Sequence, residues 1–179
     1  MLLDKRMKNI IYETGYLISY ALNELDAQKE VNPIYFHIDL EYKRKTKEIR
    51  GNSLSESIPK AIKKLQKNAK KTLSNLIIIP AELENRFAER ESALVAMIFD
   101  NLNEKSLTIT VPYNFESDRL TIQEYEVIDS DNLEQNEFLY LESIFNRGLL
   151  NFEEGSYLWK NRLKGKKNQN IFTSNNLGT

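Results

Sequence analysis

Cysteine is absent from this chain, and histidine and tryptophan occur once each among 179 residues, with four prolines and six glycines. Without cysteine there are no disulfides, iron–sulfur clusters or thiolate-bound zinc, and the composition fits a reducing, cytoplasmic compartment. A single histidine excludes a two-histidine ligand set within one chain. The glycines stand apart from one another, so neither a Walker loop nor a dinucleotide fingerprint can be assembled, and no serine nucleophile elbow is present. No cofactor is expected. Long apolar runs are lacking too. Lys5, Arg6 and Lys8 precede an apolar stretch from Ile10 to Leu25, in the manner of a signal peptide, but Glu13, Gly15, Ser19 and Glu24 interrupt it. Spanning a bilayer takes roughly 20 nearly uninterrupted apolar residues. This stretch therefore reads as a buried helix, and no membrane partner is expected.

What is present is enough apolar sequence for one core. The length suits a single domain over residues 1–164, and the polar, Asn-rich stretch 165–179 reads as a C-terminal tail. Residues 7–26 carry apolar side chains on more than one face of a helix. Ile34, Phe36, Ile38 and Leu40 alternate with Tyr35, His37, Asp39 and Glu41, the pattern of a half-buried strand, with a possible hairpin continuation from Lys47 to Arg50. A second helix opens near Ser57–Pro59 and runs along Ile58, Ile62, Leu65, Ala69 and Leu73. Leu76 to Ile79 reads as a central strand covered on both faces. Pro80 is taken to start a third helix over 81–102, with Leu83, Phe87, Leu94, Ile98 and Leu102 in line; 92–99 would also suit a strand. Strands follow at 107–113 and 120–129, the second with a change of apolar phase between Ile122 and Tyr125 that predicts a bulge or twist. A helix over 133–147 should stop at Gly148, and a last apolar element occupies 149–164. The expected fold is α+β or α/β, in the order α-β-α-β-α-β-β-α-α, with helices packed on a mixed sheet of about four to five strands. Strands separated by helices are expected to lie parallel.

Charge is strongly segregated along the chain. Residues 43–71 hold eleven Lys/Arg and two Glu, a net of plus nine; residues 81–156 hold seventeen acids and five bases, a net of minus twelve. Residues 157–179 add five bases and no acid. Two such blocks can each steer a partner, or can simply be solvated faces that partly neutralise each other.

Three groups of residues are candidates for chemistry or binding. His37, Asp39 and Glu41, followed by Lys43, share one face of the first strand, and imidazole with carboxylates can hold a divalent cation. The fragment Glu41-Tyr42-Lys43 resembles the acid-x-lysine half of a metal-dependent nuclease site of the restriction-endonuclease type. That resemblance covers three residues. The family's other acid belongs on a preceding strand, and only a helix precedes residue 33 here. Secondly, Lys60, Lys63, Lys64, Lys67, Lys70 and Lys71 line the solvent side of the second helix and could follow phosphates, although that helix has no aromatic side chain for base stacking. Near the C-terminus, Tyr157 and Trp159 stand among Lys160, Arg162, Lys164, Lys166 and Lys167. Thirdly, Tyr12, Tyr16 and Tyr20 form a stripe at helical spacing that suits an interface or the edge of a core.

The functional expectation is a non-catalytic cytosolic binding or regulatory protein that works through its two charged surfaces. Its partner would be another protein or a second copy of itself, with Tyr12, Tyr16 or Trp159 as apolar anchor. The alternatives are a nucleic-acid-binding protein using the lysine helix and basic C-terminus, and a metal-dependent nuclease or hydrolase centred on His37, Asp39 and Glu41.

Overall fold

The computed structural model describes residues 5–84 and 89–164. Helix α1, Lys5–Asp26, carries buried Ile10, Ile11, Leu17, Ile18 and Leu22. It ends where Gln28 takes a left-handed conformation. There Lys29 N–H donates to Glu24 O and Gln28 N–H to Leu25 O, the paired bonds of a Schellman cap. Strands β1, Ile34–Asp39, and β2, Arg44–Glu48, form a hairpin. Helix α2, Leu54–Asn68, and a 3-10 turn at Ala69–Lys71 lead into β3, Thr72–Glu84. The remaining elements are β4, Arg90–Asp100; β5, Lys105–Glu116; β6, Arg119–Gln123; β7, Glu126–Asp131; α3, Gln135–Asn151; α4, Glu153–Arg162; and the two-residue β8, Leu163–Lys164.

All these strands belong to one eight-stranded, curled sheet, in the order β2-β1-β3-β4-β5-β6-β8, with β7 also paired to β5. The architecture is α+β, and the sheet is nearly twice as wide as the four to five strands expected. The main cause lies at 81–102, whose described residues form strands β3 and β4 rather than a helix. β3 continues through Pro80 to Glu84, and β4 returns beside it with Leu94 opposite Pro80. In β4, Leu94, Ala96 and Ile98 join one core and Val95, Met97 and Phe99 the other. A run that is apolar all round is a strand covered on both faces, for the same reason as Leu76 to Ile79. Pairing of β3 with β1 ends at Ile78, so Pro80 lies where β3 keeps only β4 as partner. Phe87 lies outside the described residues.

Three smaller corrections follow from the register. The 120–129 region is two strands, β6 and β7, which pair with different halves of β5; the bulge itself sits between Thr108 and Ile109. The expected parallel neighbours are antiparallel, apart from the short β6–β8 pair. β2 and β3 do run in the same direction, but β1 lies between them. Gly148 does not stop a helix; α3 continues to Asn151.

Packing explains that glycine. Helices α1, α3 and α4 share a core with Ile34, Phe36 and Ile38 of β1 and the inward residues of β3 to β6. A Cβ on Gly148 would lie 2.1 Å from the Tyr12 carbonyl oxygen of α1, and one on Gly15 would lie 2.2 Å from the Phe145 oxygen of α3. The two glycines let the helix backbones touch. The opposite face of the sheet carries a smaller core, where Ala61 and Leu65 of α2 meet Tyr35, Ile77, Ile79 and Val95.

Candidate functional site

The face under α2 is read across the sheet by its pairing. One row runs Lys45, His37, Asn75, Phe99, Ser106, Asp131; the adjacent row runs Lys47, Tyr35, Ile77, Met97, Thr108, Asp129. Each row starts with a lysine on edge strand β2 and ends with an aspartate on β7. The lysines of β2 and the aspartates of β7 therefore stand at opposite ends of both rows. Five strand spacings of about 4.8 Å separate the two ends, a path of roughly 24 Å against a screening length of about 8 Å at physiological salt.

At the basic end, α2 turns Ser57, Ala61 and Leu65 inward and leaves its lysines outward. Counter-ions within reach are few and local: Lys43 meets Glu41, Arg44 meets Glu13, Lys45 meets Asp39, Arg50 meets Glu48 and Lys60 meets Glu56. Among the described residues no ion pair joins the 43–71 block to the 81–156 block. Lys47, Lys63, Lys64, Lys67, Lys70 and Lys71 keep no carboxylate partner there. Lys64 places its Nζ 5.1 Å from the centre of the Tyr35 ring. Burial, then the neighbouring Lys47, holds its pKa below the ordinary lysine value.

Beneath Lys64 lies a polar cluster set into the smaller core. Asn68 Nδ2 donates to Tyr35 Oη at 3.2 Å, and the Tyr35 hydroxyl donates to Asn75 Oδ1 at 2.7 Å. Burial raises the Tyr35 pKa, against the Asn68 hydrogen bond. His37 stacks on Tyr35 with ring centres 5.2 Å apart. Its pKa is lowered by burial, then by Lys45 and Lys64, with Asp39 opposing. Two buried nitrogens in this cluster have no hydrogen-bond partner: His37 Nδ1 and Asn75 Nδ2. They belong to residues directly opposite each other on β1 and β3.

The residues singled out from sequence fall out as follows. Asp39 is committed to the hairpin turn: its Oδ1 accepts the N–H of Glu41 at 3.0 Å and of Lys43 at 2.9 Å, and its Oδ2 meets Lys45 at 2.9 Å. The Lys45 hydrogen bond, with those backbone bonds, brings its pKa down to about 2. Glu41 points into solvent against Lys43. Among the described residues no three His, Asp or Glu side chains gather as a metal site. Tyr12, Tyr16 and Tyr20 are half-buried against the larger core, and Tyr16 and Tyr20 pack edge-on against Phe152. Trp159 is 6% exposed and lies against Tyr125. Of the C-terminal bases, Arg162 pairs with Asp26 and Lys164 with Glu116, while Lys166 and Lys167 lie outside the described residues. Sequence reasoning missed Asn75. The available signal was one amide inside the apolar run Leu73 to Ile79.

No helix among the described residues is long and apolar enough to cross a membrane. No known protein family, curated protein or solved structure matches this chain.

Proposed function

We propose that this chain is a binding protein whose working surface is the lysine face built by β2, α2 and the following 3-10 turn, and that its partner is a nucleic-acid backbone. The observation that carries this reading is the set of six lysines, Lys47, Lys63, Lys64, Lys67, Lys70 and Lys71, which meet no carboxylate among the described residues and are carried by β2, α2 and the 3-10 turn, while the aspartates of β7 lie beyond β5. The carboxylates of β7 lie more than one screening length away along the sheet, which weakens their repulsion of the same phosphates. Lysines act as point charges rather than bidentate forks, and Tyr35 is fully buried, so the contact reads phosphate rather than base. Affinity then comes from counterion release. Neutralising about four to six phosphates gives a slope of roughly −4 to −5 in log K against log salt on duplex DNA.

Fluorescence anisotropy with a labelled oligonucleotide, single- and double-stranded, tests this over a salt series. Binding at low salt with that slope is expected, and replacing Lys63, Lys64 and Lys67 together by Glu should remove it. No binding at about 20 mM salt, where such contacts are strongest, would refute the proposal.

A protein partner is the second reading. It is favoured by Leu139 and Tyr140 on α3, which are exposed at 63% and 53% and stand in the acidic half of the chain. Residues of this kind could supply the anchor that Trp159, Tyr12 and Tyr16, turned toward the core, do not offer.

A further inference from the structure

On the α2 face, Asn75 is 1% exposed and lies in its row between His37 of β1 and Phe99 of β4, both only partly buried. The helix thus leaves this stretch of the row partly open. The Tyr35 hydroxyl occupies Asn75 Oδ1, which fixes the orientation of the amide and leaves Nδ2 without a partner. Directly opposite, His37 Nδ1 is buried and unpartnered too. Unpaired buried polar atoms are costly, and two on facing residues call for a group that both can reach.

The charge around this pair is positive. Lys45 and Lys64 lie within electrostatic reach of His37, and Lys47 within reach of Lys64. The Lys64 ammonium stands over the Tyr35 ring, on which His37 stacks. One carboxylate, Asp39, also acts on His37, but its oxygens already accept from the Glu41 and Lys43 N–H groups and from Lys45.

We propose that this cluster seats a phosphomonoester dianion, which on the reading above is the terminal phosphate of the bound strand. A phosphate oxygen accepts from Asn75 Nδ2–H and from His37 Nδ1–H, while the Lys64, Lys47 and Lys45 ammonium groups offset the charge. Three cations around one point suit the nearly two charges of a phosphomonoester better than the single charge of an internal phosphodiester. An internal phosphate is also flanked by two sugars, whereas a terminal one can reach past the lysines to nitrogens at this depth. Lys64 covers the cluster with a flexible side chain that can turn toward the anion. The source of the phosphate rests on the nucleic-acid reading; the seat itself does not.

Two measurements test the seat. In the first, anisotropy compares one internally labelled single strand ending in a 5′-phosphate, in a 3′-phosphate or in hydroxyls only. A phosphorylated end should tighten binding at least ~10-fold. His37→Phe keeps a ring on Tyr35, and Asn75→Asp keeps an acceptor for the Tyr35 hydroxyl; each should abolish that preference. Their retained affinity for the hydroxyl-ended strand shows that both variants fold. In the second, inorganic phosphate should shift the His37 NMR resonance where chloride of equal ionic strength does not. No such shift, as expected if a water merely bridges the two nitrogens, would overturn the proposal, and so would a preference that survives in both variants. A shift with no preference for phosphorylated ends assigns the seat to a free phosphomonoester. A shift with no strand bound at all keeps the seat and overturns the nucleic-acid reading.

Discussion

Replacing Gly148 by Ala sets two physical effects against each other with opposite signs. In an open helix interior the change would stabilise by about 1 kcal/mol, because alanine is the better helix former. At this position the new Cβ would sit 2.1 Å from the Tyr12 oxygen and 3.0 Å from Tyr16 N. Ordinary carbon–oxygen contact needs more than an ångström beyond the first of these, and the atoms struck are backbone, which cannot rotate away. The helices α1 and α3 must separate, disturbing the packing of Ile144, Phe145 and Leu149 in the shared core. Overpacking of this kind costs about 1–3 kcal/mol and sometimes more. Because the atoms struck are backbone, the upper part of that range, about 2–3 kcal/mol, applies; after the propensity gain the net expectation is a loss of about 1–2 kcal/mol, or a fall in Tm of about 2–8 °C for a chain of this size. Urea unfolding followed by circular dichroism measures it, with Ser143→Ala on the exposed side of the same helix as control. A Gly148→Ala protein as stable as the parent, or more so, would refute the close approach of the two helices.

Other outcomes are open to measurement. Lys105 lies 2.6 Å from Glu137, whose side chain is 3% exposed and also caps the start of α3; Lys105→Ala should cost about 3 kcal/mol, the lower end for breaking a buried pair. For Glu137, burial pushes the pKa up, but the Lys105 bond and the Glu134 backbone outweigh it, so the net direction is down. A depressed carboxylate contributes stability above its unfolded pKa that is lost as pH falls through the folded value, and Lys105→Ala should flatten the acid limb of a stability–pH curve. His37, the only histidine, gives an unambiguous NMR titration. Its pKa should lie below the ordinary value and rise when oligonucleotide covers Lys45 and Lys64, whose charges now depress it; a resonance unmoved by saturating oligonucleotide would place the bound phosphates elsewhere.

Much of the fold was legible from periodicity alone, and its failures share one physical origin. The helix at 7–26 and the apolar strand at 76–79 follow from local pattern, and so does a strand from Ile34, but it ends at Asp39, leaves Leu40 exposed and buries Tyr35 on the face expected to be polar. The segment 94–99 has the same unbroken apolar signature as 76–79, but the preceding Pro80 and Glu82 resemble a helix start. Only pairing separates the alternatives: β4 finds β3 on one side and β5 on the other, and both faces are covered. Gly148 shows the same limit. A glycine at the end of an amphipathic run reads as a cap, whereas its role here is set by Tyr12, a residue far away in sequence.

The candidate site divides along the same line. The lysines of α2 were visible as a helical stripe, since their exposure follows from the apolar residues opposite them. Their electrical isolation was not visible, because it depends on strand order. Had β2 folded beside β7, the two blocks would neutralise each other and leave no surface with a sign. Instead α2 carries the chain from β2 across β1 to β3, which leaves β2 at one end of the sheet, while β5 receives β7 at the other. The interior of each row is polar or apolar but uncharged, from Asn75 or Ile77 to Ser106 or Thr108. The buried Tyr35–Asn68–Asn75 network ties α2 to β1 and β3, so the helix that bears the lysines is held by hydrogen bonds as well as by Ala61 and Leu65. A support of this kind fixes the spacing of the charges, and fixed spacing is what a lattice of phosphates would require.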